Sequence, residues 1–148
     1  MLDELDIKLL NILQERGRTK RSELAEAIGL SLPSLSERIR KLENKNVIAG
    51  YYTKLNRKIF GYDMMAFITV VMDGKDNIEI MRKYVEETPE IIECHTILGK
   101  GSYMLKVVAK DTVALEELLN HIQTWPGVTR TNTRFVLSTI KETTKIKI

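Results

Sequence analysis

Hydroxyl-bearing and basic side chains are concentrated in one short segment, residues 31–41, whose sequence is SLPSLSERIRK. Serine and glutamate can hydrogen-bond to the edges of bases, and arginine and lysine bind phosphate oxygens without regard to base sequence. The segment therefore contains the residue types that contact with duplex DNA requires. The candidate residues are Ser31, Pro33, Ser34, Ser36, Glu37, Arg38, Arg40 and Lys41.

The spacing of apolar residues predicts that this segment is a helix with one buried face. Leu35, Ile39 and Leu42 recur at i, i+4 and i+7 and form a single stripe that packs inward. In helix-turn-helix proteins the first residues of such a helix reach base edges, and cations hold the phosphate backbone. The predicted base contacts are Pro33, Ser34, Ser36 and Glu37, and the predicted phosphate contacts are Arg38, Arg40 and Lys41.

A structural role is the alternative for the polar residues at the start of this helix. Serine hydroxyls cap the free backbone amides of a first turn, and a glutamate there compensates the helix dipole. For Ser34, Ser36 and Glu37 the sequence leaves both roles open.

Residues 99–103, Gly-Lys-Gly-Ser-Tyr, form a second candidate site. They superficially resemble a phosphate-binding loop, but that motif needs a glycine further upstream and a helix after it. Because strand-forming residues follow here, a hairpin turn is predicted instead.

Catalytic chemistry has one further candidate, the adjacent pair Cys94 and His95. Neighbouring residues on a strand point to opposite faces, so the pair cannot converge on one atom. His121 is the only other histidine, which leaves no set of metal ligands. We therefore predict no catalytic site, no metal site and no cofactor.

Three short helices are predicted to position residues 31–41. The first is expected over about residues 3–16, where apolar residues recur at helical spacing. The second begins with Ser22 as its N-cap and ends at Gly29, and the third follows after a tight turn. This arrangement is a helix-turn-helix. The β-branched and aromatic residues at 47–53 predict a short strand pair, or wing, after it.

The second half of the chain has a different periodicity, which predicts alternating strands and helices. The predicted strands are residues 65–72, 91–98, 103–109 and 128–140, and the predicted helices are residues 76–88 and a segment capped by Asp111 or Thr112. The order β-α-β-β-α-β is that of the ferredoxin-like fold. We therefore predict an α+β protein with a winged helix-turn-helix over residues 1–55, a linker at 56–63 and a ferredoxin-like domain over 64–148.

Composition and charge limit the possible functions. The 148 residues are 43% apolar, but no run reaches the roughly 20 apolar residues of a membrane span. A single cysteine and an acidic start favour a cytoplasmic protein over a secreted one. Residues 16–58 carry 11 basic and 4 acidic side chains, although the chain has a net charge of only +3. This asymmetry predicts a polyanion-binding module attached to a domain with another task.

Two classes of function remain open on these grounds. In the first, the helix-turn-helix binds duplex DNA and the second domain senses a small molecule. In the second, a small-molecule-binding or enzymatic ferredoxin-like protein uses its N-terminal helices for protein contacts. The basic bias of residues 16–58 favours the first, because protein-contact surfaces are depleted in lysine.

Short motifs follow one another along the chain in a characteristic order. They are Leu2-Asp3-Glu4-Leu5-Asp6, Glu23-Leu24-Ala25, Gly29-Leu30-Ser31, Glu37-Arg38-Ile39-Arg40-Lys41-Leu42-Glu43, Val47-Ile48, Gly50-Tyr51, Glu93-Cys94-His95, Pro126-Gly127-Val128 and Thr131-Asn132-Thr133. In this order the chain resembles the feast/famine, or Lrp/AsnC, family over essentially its whole length. The resemblance implies a bacterial or archaeal transcription regulator, with a winged helix-turn-helix and a βαββαβ ligand-sensing domain. It also implies homodimers that often assemble further, commonly to octamers.

The resemblance further implies an effector site near the loop after the second strand. Family members bind amino acids there and usually have a glycine, an acidic residue, an aromatic and an aspartate before a tyrosine. This sequence has Gly99, Lys100, Gly101 and Ser102 before Tyr103, so the carboxylates and the aromatic are missing. Because Lys100 repels an ammonium group, we expect this loop either to bind no ordinary amino acid or to favour a small anionic effector.

Self-association is expected on physical grounds. Each half of the chain is too small to be comfortably stable alone. Two helices can cover only one face of a four-stranded sheet, and a partly apolar exposed face usually marks an interface. A symmetric dimer would also present two recognition helices to successive major grooves of DNA.

Overall fold

The computed structural model describes residues 1–99 and 101–148. The chain forms two compact units, one comprising Met1–Lys54 with Lys141–Ile148 and the other Leu55–Ile140. Each unit has its own hydrophobic core.

The first unit is built from three helices, α1 (Glu4–Glu15), α2 (Arg21–Ile28) and α3 (Leu32–Asn44). Their apolar stripes meet in a core whose fully buried residues include Leu9, Leu24 and Leu35. Gly29 ends α2 in the left-handed conformation (φ +73°), which glycine adopts without strain and which permits the short turn into α3. The three predicted helices are confirmed.

The start of α2 differs from the prediction. Lys20, not Ser22, is the N-cap, and its side chain makes no capping hydrogen bond. The backbone amide of Leu24 donates to the Lys20 carbonyl at 3.0 Å, so the first helical turn closes before the serine is reached. The prediction of Ser22 as the N-cap is therefore wrong. The N-cap of α2 lies two residues earlier, and no side chain caps the helix.

Residues 47–53 do not form the predicted strand pair. The amides of Val47 and Ile48 donate to the Leu42 carbonyl at 2.9 and 3.2 Å and thereby close the end of α3. A strand also requires a neighbouring strand for its backbone groups, and none pairs with this segment in the described chain. β-forming residue types therefore did not suffice to make a strand here.

The last residues of the chain contact α1, whereas the sequence suggested that the second domain runs from residue 64 to 148. The Gln14 side-chain amide donates through Nε2 to the Ile146 carbonyl at 3.1 Å, and its Oε1 accepts from the Ile146 backbone amide at 2.8 Å. Lys145 also pairs with Glu15 and lowers the pKa of that carboxyl. These contacts group residues 141–148 with the first unit.

The second unit has the predicted β-α-β-β-α-β order after a short 3₁₀ turn at Arg57–Phe60. Its elements are β1 (Met64–Met72), α4 (Asn77–Glu86), β2 (Ile91–Thr96), β3 (Ser102–Ala109), α5 (Thr112–Gln123) and β4 (Val128–Phe135). The sheet order is β2-β3-β1-β4, and all neighbouring strands are antiparallel. Asp111 caps α5 through a hydrogen bond from the Ala114 amide.

The sheet packs one of its faces against the two helices. Ala66, Ile68 and Val70 of β1 are fully buried and share a core with Leu118 and Ile122 of α5. The alternate β1 residues point to the other face, where the Phe67 side chain is 37% exposed. The prediction of a half-covered sheet is confirmed.

β4 is shorter than predicted and ends at Phe135 instead of residue 140. Phe135 pairs with Ala66, close to the first residue of β1. The Val136 amide still donates to the Met65 carbonyl at 2.9 Å, after which β1 offers almost no further partner. No helix in the described chain is long and apolar enough to cross a membrane.

Candidate nucleic-acid interface

Helix α3 buries its apolar stripe and leaves its polar residues accessible, as the periodicity predicts. Leu35, Ile39 and Leu42 are buried in the core of the first unit. The side chains that remain exposed are Ser31, Pro33, Ser34, Glu37, Arg40 and Lys41, and those half-buried are Ser36 and Arg38. The packing of α3 therefore presents the predicted contact residues on its accessible surface.

The hydroxyls at the start of α3 have a structural role as well. Ser31 is the N-cap, and its oxygen accepts a hydrogen bond from the Ser34 amide at 3.3 Å. Its hydroxyl donates to Ser34 Oγ at 2.9 Å. Pro33 lies in the first turn, where its missing amide hydrogen has no cost. These exposed hydroxyls can still turn towards another partner, because capping uses only one lone pair of Ser31.

Arg40 and Lys41 both pair with Glu37 on the exposed side of α3. Arg40 donates to the two Glu37 carboxylate oxygens at 2.9 and 2.7 Å, and Lys41 Nζ lies 3.8 Å from one of them. The Arg40 hydrogen bonds lower the pKa of Glu37. Exposed pairs of this kind contribute little stability, so both cations can exchange the carboxylate for a phosphate.

Arg38 differs from its neighbours because its half-buried guanidinium is bound to the first turn of α1. Arg38 Nη1 donates to both Asp3 oxygens at 2.7 Å and to Asp6 Oδ1 at 2.6 Å. These bonds raise the pKa of Arg38 and lower that of Asp3. The predicted phosphate contact is thus already bound to two carboxylates at the start of α1.

Leu32 is a residue at this surface that the sequence analysis missed. It is the first residue of α3, and it is 49% exposed, beside the serines. An apolar side chain at that position can contact the methyl group of thymine in the major groove. Only its position next to the N-cap could have indicated this, since its residue type suggests a buried location.

Of the second candidate site, Gly99 and Gly101 lie between β2 and β3, and Ser102 and Tyr103 are the first residues of β3. The Ser102 amide donates to the Gly99 carbonyl at 3.3 Å, and the Ile97 amide donates to the Ser102 carbonyl at 3.1 Å. Gly101 (φ +69°) lies so close to the end of β1 that a Cβ there would be 2.1 Å from the Met72 carbonyl oxygen. Lys100, the predicted charge partner of an effector, lies outside the described residues.

Tyr103 does not present a free hydroxyl to a ligand. Its side chain is 3% exposed, and its hydroxyl donates to Asn77 Oδ1 at 2.6 Å. The Asn77 side-chain nitrogen, Nδ2, in turn donates to the Gly74 carbonyl at 3.1 Å. Asn77, which the sequence analysis did not single out, therefore links the β2–β3 turn to the loop before α4.

Cys94 and His95 diverge, as the strand geometry predicts. Cys94 packs against the core, where burial raises the pKa of its thiol. His95 is exposed and lies 3.1 Å from Glu93, which also accepts a hydrogen bond from Lys106 at 3.2 Å. Within residues 1–99 and 101–148, no three His, Cys, Asp or Glu side chains come close enough together to hold a metal ion.

Known proteins resemble this chain over nearly its whole length. It is 35% identical over 147 residues to the HTH-type transcriptional regulator FL11 of Pyrococcus horikoshii, covering 99% of this chain and 97% of that protein. It is 33% identical over 150 residues to the leucine-responsive regulatory protein of Escherichia coli K12, covering 99% and 92%. A solved transcriptional regulator of Neisseria meningitidis in complex with L-methionine has a TM-score of 0.92 and 32% identity, covering 99% and 97%.

Both units also match known domain families. Residues 2–49 match a winged helix-turn-helix DNA-binding family, and residues 65–146 match the Lrp/AsnC ligand binding domain. These matches agree with the accessible polar face of α3 and with the βαββαβ topology of the second unit. The chain therefore belongs to the Lrp/AsnC family of DNA-binding transcriptional regulators.

Proposed function

We propose that this regulator binds duplex DNA with the accessible face of α3, residues 31–41. The observation that carries the proposal is the division of this helix, whose apolar stripe is buried while its serines and basic residues remain accessible. Ser34, Ser36 and Leu32 contact base edges, and Arg40 and Lys41 contact phosphates. Contact with the chromosome implies a cytoplasmic location, which is part of the same proposal.

The electrostatic part of the proposal rests on the asymmetry of charge. Residues 16–58 carry seven more basic than acidic side chains. Arg40 and Lys41 are exposed, and their pairing with Glu37 costs little to break. Replacing that carboxylate with phosphates releases condensed counterions, so binding should weaken steeply as salt increases.

The double variant R40Q/K41Q should bind every duplex more weakly than the wild type. Loss of two phosphate contacts should reduce the magnitude of the negative slope of log K against log salt by about 0.9 per contact, or about 1.8 in total. Fluorescence anisotropy with mixed-sequence genomic duplexes, repeated across salt concentrations, measures this slope. The control is K75Q/K110Q, which removes the same charge from exposed positions of the second unit. An unchanged slope in R40Q/K41Q would show that α3 is not the DNA-contacting helix.

A homo-oligomer is the second part of the proposal. The helix-free face of the sheet exposes part of Phe67 and has Thr69 and Val71 half-buried. Such a face is typical of an interface between copies of one chain, and a two-fold axis would pair two copies of α3. A dimer is the minimal assembly that presents two recognition helices, and octamers are a further stage of it.

Light scattering of the full chain at micromolar concentration should report a mass of at least twice 17.0 kDa. Replacing Phe67 with aspartate should shift the population towards the monomer, because a buried unpaired charge opposes association. The control is V113D, at an exposed apolar residue of α5, away from this face. A stable monomer in the wild type contradicts this part of the proposal.

A small-molecule effector is the third part of the proposal, with residues 99–103 as its site. The L-methionine complex of the Neisseria regulator supports an amino acid, whereas the basic Lys100 supports a small anion. The hydrogen bond from the Tyr103 hydroxyl to Asn77 then holds the turn in place. A regulator that needs no effector, with these residues acting only as a hairpin turn, is the alternative.

Calorimetric titration with L-methionine, the other common amino acids and a panel of small carboxylates distinguishes these cases. If the effector is an anion held by Lys100, K100A should weaken its binding about 10- to 150-fold, since hydrogen bonds to charged groups contribute about 1.5–3 kcal/mol. K110A provides the charge-matched control. Tight binding of a neutral aliphatic amino acid that K100A leaves undiminished would overturn the charge argument.

A further inference from the structure

We propose that Arg38 is a positioning residue, which fixes the orientation of α3 on α1 and thereby supports base discrimination without contacting DNA. This inference rests on the proposed function of α3 as the recognition helix. It assigns to Arg38 a role different from that of Arg40 and Lys41, although all three are basic residues on one helix.

The contacts of Arg38 cross from α3 to the first turn of α1. A single nitrogen, Arg38 Nη1, lies 2.7 Å from each Asp3 carboxylate oxygen and 2.6 Å from Asp6 Oδ1. The two partners are separated from it by 35 and 32 residues of sequence. Charge-assisted hydrogen bonds of this length are roughly twice as strong as neutral ones. They therefore join two helices that the chain connects only through α2.

The two aspartates also form the capping box of α1. Asp3 Oδ1 accepts from the Asp6 amide at 2.8 Å, and Asp6 Oδ2 accepts from the Asp3 amide at 3.0 Å. Their carboxylates are thus held by the backbone before Arg38 reaches them. Arg38 therefore binds an acidic pair that is already fixed in place, and this contact restricts the orientation of α3 relative to α1.

Burial makes this contact costly to exchange for a phosphate. Asp6 is only 8% exposed as a residue, and the Arg38 side chain is 25% exposed. If Arg38 turned outward, Asp6 would keep a nearly buried charge without its guanidinium, and that state is strongly unfavourable. Arg40 faces no such penalty, because its Glu37 partner is exposed and adjacent on the same helix.

The orientation of α3 matters because base contacts depend on distance. Hydrogen bonds weaken steeply when donor and acceptor move beyond about 3.2 Å or lose alignment. Ser34 and Ser36 precede Arg38 by four and two residues on the same helix. A rotation of α3 that Arg38 normally prevents would therefore displace the residues proposed to read bases, while flexible phosphate contacts adjust.

The test uses the full chain and a duplex that the wild type itself selects from a random-sequence pool. Binding to this duplex and to a scrambled version of it is measured across salt concentrations. The variants are R38Q, D6N and R38Q/D6N, with R40Q as the matched control on the same helix. D6N keeps the size of the side chain and an acceptor for the Asp3 amide but removes the more buried of the two charges that hold Arg38.

R38Q and D6N should each lower the preference for the selected duplex about tenfold, which corresponds to the loss of one good base contact. Their salt slopes should stay at the wild-type value, because no phosphate contact is lost. R40Q should instead weaken both duplexes alike and lower the slope by about 0.9. D6N is decisive because Asp6 cannot donate to a phosphate.

Coupling between the two variants gives a second readout. R38Q/D6N should reduce the preference no further than R38Q alone, because both changes remove the same contact. D3N serves as a milder variant if R38Q unfolds, since Asp3 is more exposed and asparagine is an equally good N-cap. It should give a smaller loss of preference at an unchanged slope.

The proposal is overturned if R38Q lowers the salt slope as R40Q does and D6N binds like the wild type. Arg38 would then be a phosphate contact. It is also overturned if R38Q and D6N reduce the preference independently. A wild type that selects no sequence from the pool contradicts the proposed function itself, and this outcome is distinct from either result for Arg38.

Discussion

The hydrogen bonds between Arg38 and the two aspartates at the start of α1 are the directional contact on which the proposed placement of α3 depends. A three-helix unit of this size has a small core, and hydrophobic packing alone is not directional. Leu35, Ile39 and Leu42 turn one face of α3 to the core, and the directional Arg38 hydrogen bonds join α3 to α1. The apolar stripe and the Arg38 hydrogen bonds together determine which serines and cations of α3 are accessible.

The second unit meets a different constraint, because a four-stranded sheet has two faces and only two helices. α4 and α5 cover one face and leave Phe67 partly exposed on the other. The β2–β3 turn is held on the same unit by close backbone approach at Gly101 and by the Tyr103–Asn77 hydrogen bond. The two units therefore present different surfaces. The first presents the polar face of a helix, and the second presents a partly uncovered sheet face and a fixed turn.

Sequence patterns predicted the elements whose signals are local. Helical spacing located α3, Gly29 ended α2, and Asp111 capped α5, since each depends on residues within one or two turns. Features that depend on distant partners were missed. Residues 47–53 have strand-forming types but no neighbouring strand in the described chain, and the sequence did not indicate that Arg38 pairs with Asp3, 35 residues away. A basic side chain that is predicted from its charge to contact DNA can thus have partners within the protein.

Cleavage of DNA by a tethered probe tests most directly whether α3 lies against the duplex. The only cysteine, Cys94, is replaced with serine, and a cysteine is placed at Lys45, the exposed C-cap of α3, to carry an iron chelate. This probe should cut a selected duplex within a few base pairs of each bound site, whereas the same probe at exposed Lys110 of the second unit should cut it far less. Cleavage from position 110 without cleavage from position 45 would contradict the account.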